Sequence, residues 1–231
     1  MSREELLSLL RYLLLGTFPE GPLGGAALSV ALALSAILGS AMLGLAAGSA
    51  LALTRGVLHA MLLTVIGLFR AIPVLMLIFW TFFVLPLALG VNVPGPLSVA
   101  AALSLVGGAY LAHSVHAGVV AVGVEQWQAA ESLGLRRTQA LRYVMLPQAL
   151  RIMAPSFVNQ WVALIKDTSL AYIVGVPELS FLANQVNSRL MVYPAQVFVF
   201  VGALYLVLCT SSAWLARRLL DTLSGKPGEH A

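Results

Sequence analysis

Apolar positions run through this chain in long uninterrupted stretches, and polar clusters are few enough to mark its joints. A helix that crosses a bilayer needs about 20 apolar residues. Five stretches reach that length, at about 24–53, 62–89, 97–122, 147–176 and 194–215. The first repeats a small residue at every fourth position, Ala36, Ser40, Gly44, Gly48 and Ala52, a seam against which a second helix can lie closely. The second is interrupted by Arg70 and Pro73, so 57–69 reads either as a separate interfacial helix or as the first half of a kinked span. The fourth holds Pro155 and the cluster Lys166, Asp167, Thr168 and Ser169. Ahead of the first span, Leu6, Leu9, Leu10, Leu13 and Leu14 share one helical face, which predicts an amphipathic N-terminal segment over 1–22 lying at the membrane interface. That segment mixes acids with bases and has no small-residue cleavage site, so no cleavable signal peptide is expected. The expected fold is an all-α membrane protein with five transmembrane helices, a membrane domain over 23–219 and a loose tail over 220–231.

Composition agrees. Of 231 residues, 60% are hydrophobic and 10% charged, and the mean hydropathy is +0.93. Soluble domains carry about 25% charge, so the chain reads as an integral membrane protein. Its net charge of +4 is no nucleic-acid footprint, because the Lys and Arg residues sit at the ends of apolar stretches. Arg55, Arg136, Arg137, Arg142, Arg151, Arg217, Arg218 and Lys226 fall on one side, and Arg3, Arg11 and Arg189 on the other. The richer side marks the cytoplasm, which puts the N terminus outside and the C terminus inside. The lone cysteine, Cys209, excludes an internal disulfide.

The longest polar interruption is 125–147, EQWQAAESLGLRRTQALRYVMLP, and its arginines place it in the cytoplasm. It reads as two short helices broken at Gly134, which suits the left-handed position that ends a helix. Pro147 is placed to open the next helix. Trp127, Ala130 and Leu133 recur at helical spacing, and an apolar stripe on so small an element needs a cover. The bilayer, the chain's own bundle or a partner protein would each supply one.

This segment resembles the cytoplasmic coupling loop of permease subunits of binding-protein-dependent ABC importers. That loop reads Glu-Ala-Ala, three residues, Gly, nine residues, Ile, any residue, Leu-Pro. Gln128, Ala129, Ala130, Gly134, Val144, Leu146 and Pro147 stand at those spacings here. Gln128 replaces the usual Glu and removes a charge; Val144 replaces Ile. The segment 69–80, FRAIPVLMLIFW, and the segment 164–179, LIKDTSLAYIVGVPEL, resemble two further blocks of the family. The resemblance implies a path shared with a second permease subunit, the same or homologous, a periplasmic or extracellular amino acid-binding protein, and two ABC ATPase subunits. It places the chain in a bacterial inner membrane and assigns ATPase coupling to Gln128, Ala129, Ala130, Glu131, Gly134, Leu146 and Pro147. The chain has no Gly-rich phosphate loop with a following Lys and Ser or Thr. No cofactor is expected on it, ATP and magnesium belonging to the partner ATPase.

Candidates for the translocation path are Lys166, Asp167, Thr168, Ser169, His113, His116 and Arg70. Counted from Leu150, Lys166 lies roughly 24 Å along its helix, where a charge is costly and faces a bundle interior or a watery route. Lys166 and Asp167 are adjacent and point to different faces of a regular helix, so either each has its own partner or the helix breaks there. His113 and His116 share a face, one turn apart. They stand where relatives often carry Glu and Arg, and read either as packed histidines or as path residues that set selectivity or pH response. Two ligands do not make a metal site. Arg70 reads as a side chain snorkelling at a helix end or as a path residue. The combined blocks look closest to glutamate/aspartate permeases. The rival classes are an ion-coupled carrier or passive channel without an ATPase partner, and an intramembrane enzyme.

Overall fold

The computed structural model describes residues 3–190 and 194–224, and every regular element among them is helical. The loose tail expected over 220–231 lies largely, and Lys226 wholly, outside the described residues, which stop at 224. The helices are α1 (Arg3–Leu15), α2 (Gly25–Leu53), α3 (Gly56–Ala71), α4 (Val74–Phe79), α5 (Leu85–Leu89), α6 (Gly95–Val122), α7 (Val124–Ser132), α8 (Arg137–Ala140), α9 (Leu146–Asp167), α10 (Leu179–Leu190) and α11 (Pro194–Ser224). Three of them, α2, α6 and α11, are long and apolar enough to cross a membrane, and the bent pair α3 and α4–α5 passes only when taken together. The break in that pair falls at Ile72 and Pro73, where Ile72 takes an extended conformation, as the residue before a proline prefers. The helix expected as a fourth span, α9, is long enough but not among the apolar ones.

The chain forms two compact units. The first takes the described residues of Met1–Ile37, Pro73–Leu103 and Val162–Ser212. Its core is Leu13, Ala26, Leu179, Leu182, Ala183, Val186 and Val201. Here α1 packs into the core: Leu13 is buried, Leu9 and Tyr12 pack beside it, and the Tyr12 hydroxyl donates to Gln185 Oε1 of α10 at 2.6 Å. Leu7 and Leu14 remain exposed.

The second unit takes Leu38–Ile72, Ser104–Trp161 and the described residues of Ala213–Ala231. The small-residue seam works as expected here. A Cβ at Gly44 would stand 2.5 Å from Leu111 Cβ, and one at Gly48 2.5 Å from Val115 Cβ, so α2 and α6 touch backbone to side chain. One buried cluster joins Leu111, Val115 and Val119 of α6 to Met145, Ala149, Met153 and Phe157 along the α9 side. A smaller one joins Leu51, Ile66, Ala109 and Ala112.

Of the prolines inside continuous helix, Pro155 lies within α9, while Pro86 and Pro147 each follow a π-turn by two residues. Trp80–Val84 precedes Pro86, and Leu141–Met145 precedes Pro147. A proline ring clashes with the carbonyl four residues back and leaves it without a donor; the wider turn makes room. Pro147 therefore does not open a new helix. From Arg137 to Asp167 the chain is one continuous helical path.

Candidate functional site

The cytoplasmic element predicted at 125–147 is built by α7, a turn and α8. Gly134 has φ +81°, and its N–H bonds Glu131 O at 2.9 Å while the Leu135 N–H bonds Ala130 O at 3.2 Å. These two bonds close the α7 carbonyls in the reciprocal pattern that a left-handed glycine allows. At the start of α8, the Arg136 N–H is met by Gln139 Oε1 at 2.9 Å.

The apolar stripe of α7 is divided. Ala130 is 2% exposed, and Trp127 packs against the Leu141–Met145–Ala149 cluster with the Arg137 guanidinium 5.2 Å from its ring centre. The chain itself covers these two. Leu133 is 83% exposed, and beside it Gln128, Ala129, Glu131 and Gly134 face outward. Of the predicted coupling residues, Ala130 thus supports the element from within. Leu146 is half-buried and Pro147 exposed. Leu133 was not singled out as a contact residue, although the stripe contained it.

In the same unit, α3 and α6 bring basic and aromatic groups together. The Arg70 guanidinium lies 5.0 Å from the Tyr110 ring centre, close enough for a cation–π contact. The rings of His59 and His116 lie 5.4 Å apart, tilted by 58°. His59 Nδ1 is 3.1 Å from Leu51 O, which fixes that nitrogen as the N–H donor. His113 is exposed on the α6 face one turn before His116. Among the described residues no three metal-binding side chains converge. His59 is the residue that spacing along the chain did not connect to His116, because the contact depends on α3 folding back along α6.

Lys166, Asp167, Thr168 and Ser169 belong to the first unit. Lys166 is exposed and Asp167 half-buried. The helix does change there: α9 ends at Asp167 and tightens into a 3-10 turn over Thr168–Val174. Thr168 is buried, and its hydroxyl donates to Ile165 O at 2.7 Å, satisfying a carbonyl at the transition. Along α9 the exposed positions are Pro147, Leu150, Arg151, Ile152, Pro155, Ser156, Asn159 and Lys166, of which Arg151, Ser156, Asn159 and Lys166 are polar.

The sequence reading missed a second polar centre in the first unit. Glu178, fully buried, caps α10. Its Oε1 accepts the Phe181 N–H at 2.9 Å, and its Oε2 accepts the Ser180 N–H at 2.9 Å and the Tyr205 hydroxyl at 2.8 Å. Ser29 Oγ lies 3.3 Å from Oε2 and accepts the Leu179 N–H at 3.2 Å. Burial pushes the Glu178 carboxyl above its ordinary value, against the pull of these donors. Glu178 lies within the 164–179 segment, but nothing in the local pattern marks it as buried; a carboxylate at a helix N-terminus is the signal that fits.

Three long apolar helices, a bent apolar pair and a glycine-closed helical element with an uncovered leucine are the features of an integral membrane protein with one polar, surface-exposed loop. The chain belongs to the binding-protein-dependent transport system inner membrane component family, whose pattern matches residues 40–224. It is 34% identical over 178 residues to a probable glutamine ABC transporter permease protein of Bacillus subtilis, covering 76% of this chain and 81% of that protein. It is 30% identical over 199 residues to the glutamine transport system permease protein of Escherichia coli, covering 84% and 89%. In fold it is similar to a crystal structure of an amino acid ABC transporter with histidines, with TM-score 0.78 and 21% identity over 96% of this chain and 99% of that one. An inward-facing methionine ABC transporter gives TM-score 0.77 and 19% identity over the same shares. The protein is an integral membrane permease subunit of the amino acid ABC importer kind, and its relatives are permeases, not enzymes. The relatives named here are described for glutamine, where the sequence blocks looked closest to glutamate/aspartate permeases.

Proposed function

We propose that this chain forms half of the translocation path of an ATP-driven importer for polar amino acids, with glutamine the first substrate to test and glutamate or aspartate the second. The observation that carries the reading is the outward surface of the 125–147 element: Gln128, Ala129, Glu131, Leu133 and Gly134 exposed on a scaffold anchored by buried Ala130 and half-buried Trp127. A rigid element with a projecting apolar side chain transmits a push. Two ATPase subunits dock there and hold the ATP and magnesium. A second permease, the same chain or a homologue, supplies the other half of the path. A binding protein delivers the amino acid from outside a bacterial inner membrane.

The exposed polar positions of α9 support a route between subunits, since Arg151, Ser156, Asn159 and Lys166 are costly against lipid tails. Lys166–Ser169, Arg70, His113 and His116 remain the path candidates in this reading. The five-span arrangement, with α9 as the fourth span and the N terminus outside, follows from the same assignment. Nothing in it requires a charged side chain on the substrate: the α-carboxylate of any amino acid meets Lys or Arg equally well.

The test is purification with the ATPase, second permease and binding protein, followed by ATP hydrolysis and uptake in proteoliposomes with glutamine, glutamate, aspartate and arginine. Stimulation by one of the first three, with uptake that stops without ATP, is the expected result. Uptake that persists without ATP would mean a carrier or channel and end the reading.

A further inference from the structure

The Glu178 carboxylate ties three helices at one buried point. Two of its bonds are to α10's own first N–H groups, from Ser180 and Phe181. A third comes from Tyr205, in the middle of α11. Ser29, one turn into α2, completes the set, and it holds the loop from its other side by accepting the Leu179 N–H. The backbone joins in: the Gly25 N–H at the start of α2 donates to Pro177 O at 2.9 Å. The approach is tight at Gly24, whose Cβ would stand 3.0 Å from that same carbonyl, so a side chain there would need the loop to give way. Tyr205 also lies 3.3 Å from Ser180 Oγ. Around these bonds sit Leu179, Leu182, Ala183 and Val201, all buried.

An α10 cap alone needs only a Ser, Thr, Asp or Asn with a short reach. A glutamate whose second oxygen is spent on two other helices does more than cap. Such a centre is cooperative, because the Ser180 and Phe181 N–H groups would lose their acceptor, and Tyr205 its shortest bond, if the carboxylate moved away.

We propose that Glu178 is a positioning residue for transport, a buried clasp that makes the start of α2, α10 and the Tyr205 turn of α11 move as one rigid block through the transport cycle. The proposal rests on the importer reading above. It assigns no ligand to Glu178 and no contact with substrate. Its function is to stop α10, joined to the Thr168–Val174 turn by a four-residue link, from shifting against α2 and α11. Motion imposed on one of the three is then passed undiminished to the others.

Two labels read the block directly. In a Cys209→Ser background, spin labels at Val30 of α2 and Val199 of α11 sit on exposed side chains that the core does not use. The complete complex, with ATPase, second permease and binding protein, is measured nucleotide-free and ATP-trapped. The wild type gives one narrow distance, unchanged between the two states. Glu178→Gln offers one acceptor oxygen where two are used, and Tyr205→Phe removes one donor. Both are expected to broaden the distance, with uptake per ATP hydrolysed down about tenfold for Glu178→Gln and about threefold for Tyr205→Phe. Basal hydrolysis stays near wild type in both.

A wild-type distance that changes between states would overturn the rigid block. So would Tyr205→Phe and Ser29→Ala complexes with unaltered distances and uptake. Should Glu178→Gln fail to assemble, those two variants decide, since each keeps the carboxylate and its two backbone bonds. A wild-type complex that does not respond to ATP and binding protein would overturn the importer reading itself, and is seen before any variant is made.

Discussion

The imidazole of His59 rests against that of His116, ring centres 5.4 Å apart, with His59 held by its own bond to the Leu51 carbonyl. The pair joins α3 to α6 at the end opposite the Arg70–Tyr110 contact. His113, one turn away, takes no part and is exposed. The two histidines of α6 therefore separate in role. His116→Ala should lower the stability of the purified complex by about 1–2 kcal/mol and leave the ranking of competing amino acids unchanged. His113→Glu should change that ranking with little loss of stability. Thermal unfolding and uptake competition, run on both variants, check the division. Equal effects of the two on ranking would refute it.

Leu133 is the apolar side chain that the α7 element leaves uncovered. Leu133→Asp should cost binding-protein-stimulated hydrolysis about tenfold, the size of an interface anchor, with the permease still stable. Ala130→Trp should act differently. It forces a large ring into a filled site and destabilises the element by about 1–3 kcal/mol. Comparing stimulated ATPase with unfolding temperature separates a lost contact from a damaged scaffold.

The seam between α2 and α6 allows no added carbon. Gly48→Val would bring its Cβ to 2.5 Å from Val115 Cβ and 2.7 Å from Ala112 O. The helices would have to part, at a cost of about 2–3 kcal/mol. Gly67, with open space around it, should accept Ala at no cost. Unfolding midpoints in detergent, measured side by side, test the contrast.

Glu178 predicts a pH dependence with a definite sign. Its folded carboxyl titrates above the unfolded one because burial penalises the charge. Protonation therefore favours the folded state: this contribution is fully present below the unfolded value and is lost as pH rises through the folded value. The unfolding midpoint should rise as pH is lowered across that window, and Glu178→Gln should flatten the rise. A midpoint that falls over the same window only in the wild type would reverse the assignment.

Local pattern carried much of this structure. Apolar length placed α2 and α6 within two residues, and spacing found the four-residue seam that α6 fills. Gly134 was legible because one residue type serves that backbone position. What the sequence hid depends on distant segments meeting. Trp127, Ala130 and Leu133 look alike as a stripe, and only the position of Met145 and Ala149 shows which two are covered. His59 and His116 are separated by 57 positions, and Glu178 and Tyr205 by 27. Pro147 misled for a different reason: a proline marks a helix start wherever the preceding turn is ordinary, and here the turn before it is widened.

That widened turn sets the angular phase of everything after it. A π-turn stores one surplus residue, and one residue is about 100° of helix rotation. As built, Ala149, Met153 and Phe157 point into the bundle while Arg151, Pro155 and Asn159 look away from it. Were Leu141–Met145 wound as ordinary helix, the inward trio would swing aside and the guanidinium and amide would sweep toward the oily interior. The turn just before Pro147 thus acts as the dial that decides which residues of α9 the bundle covers.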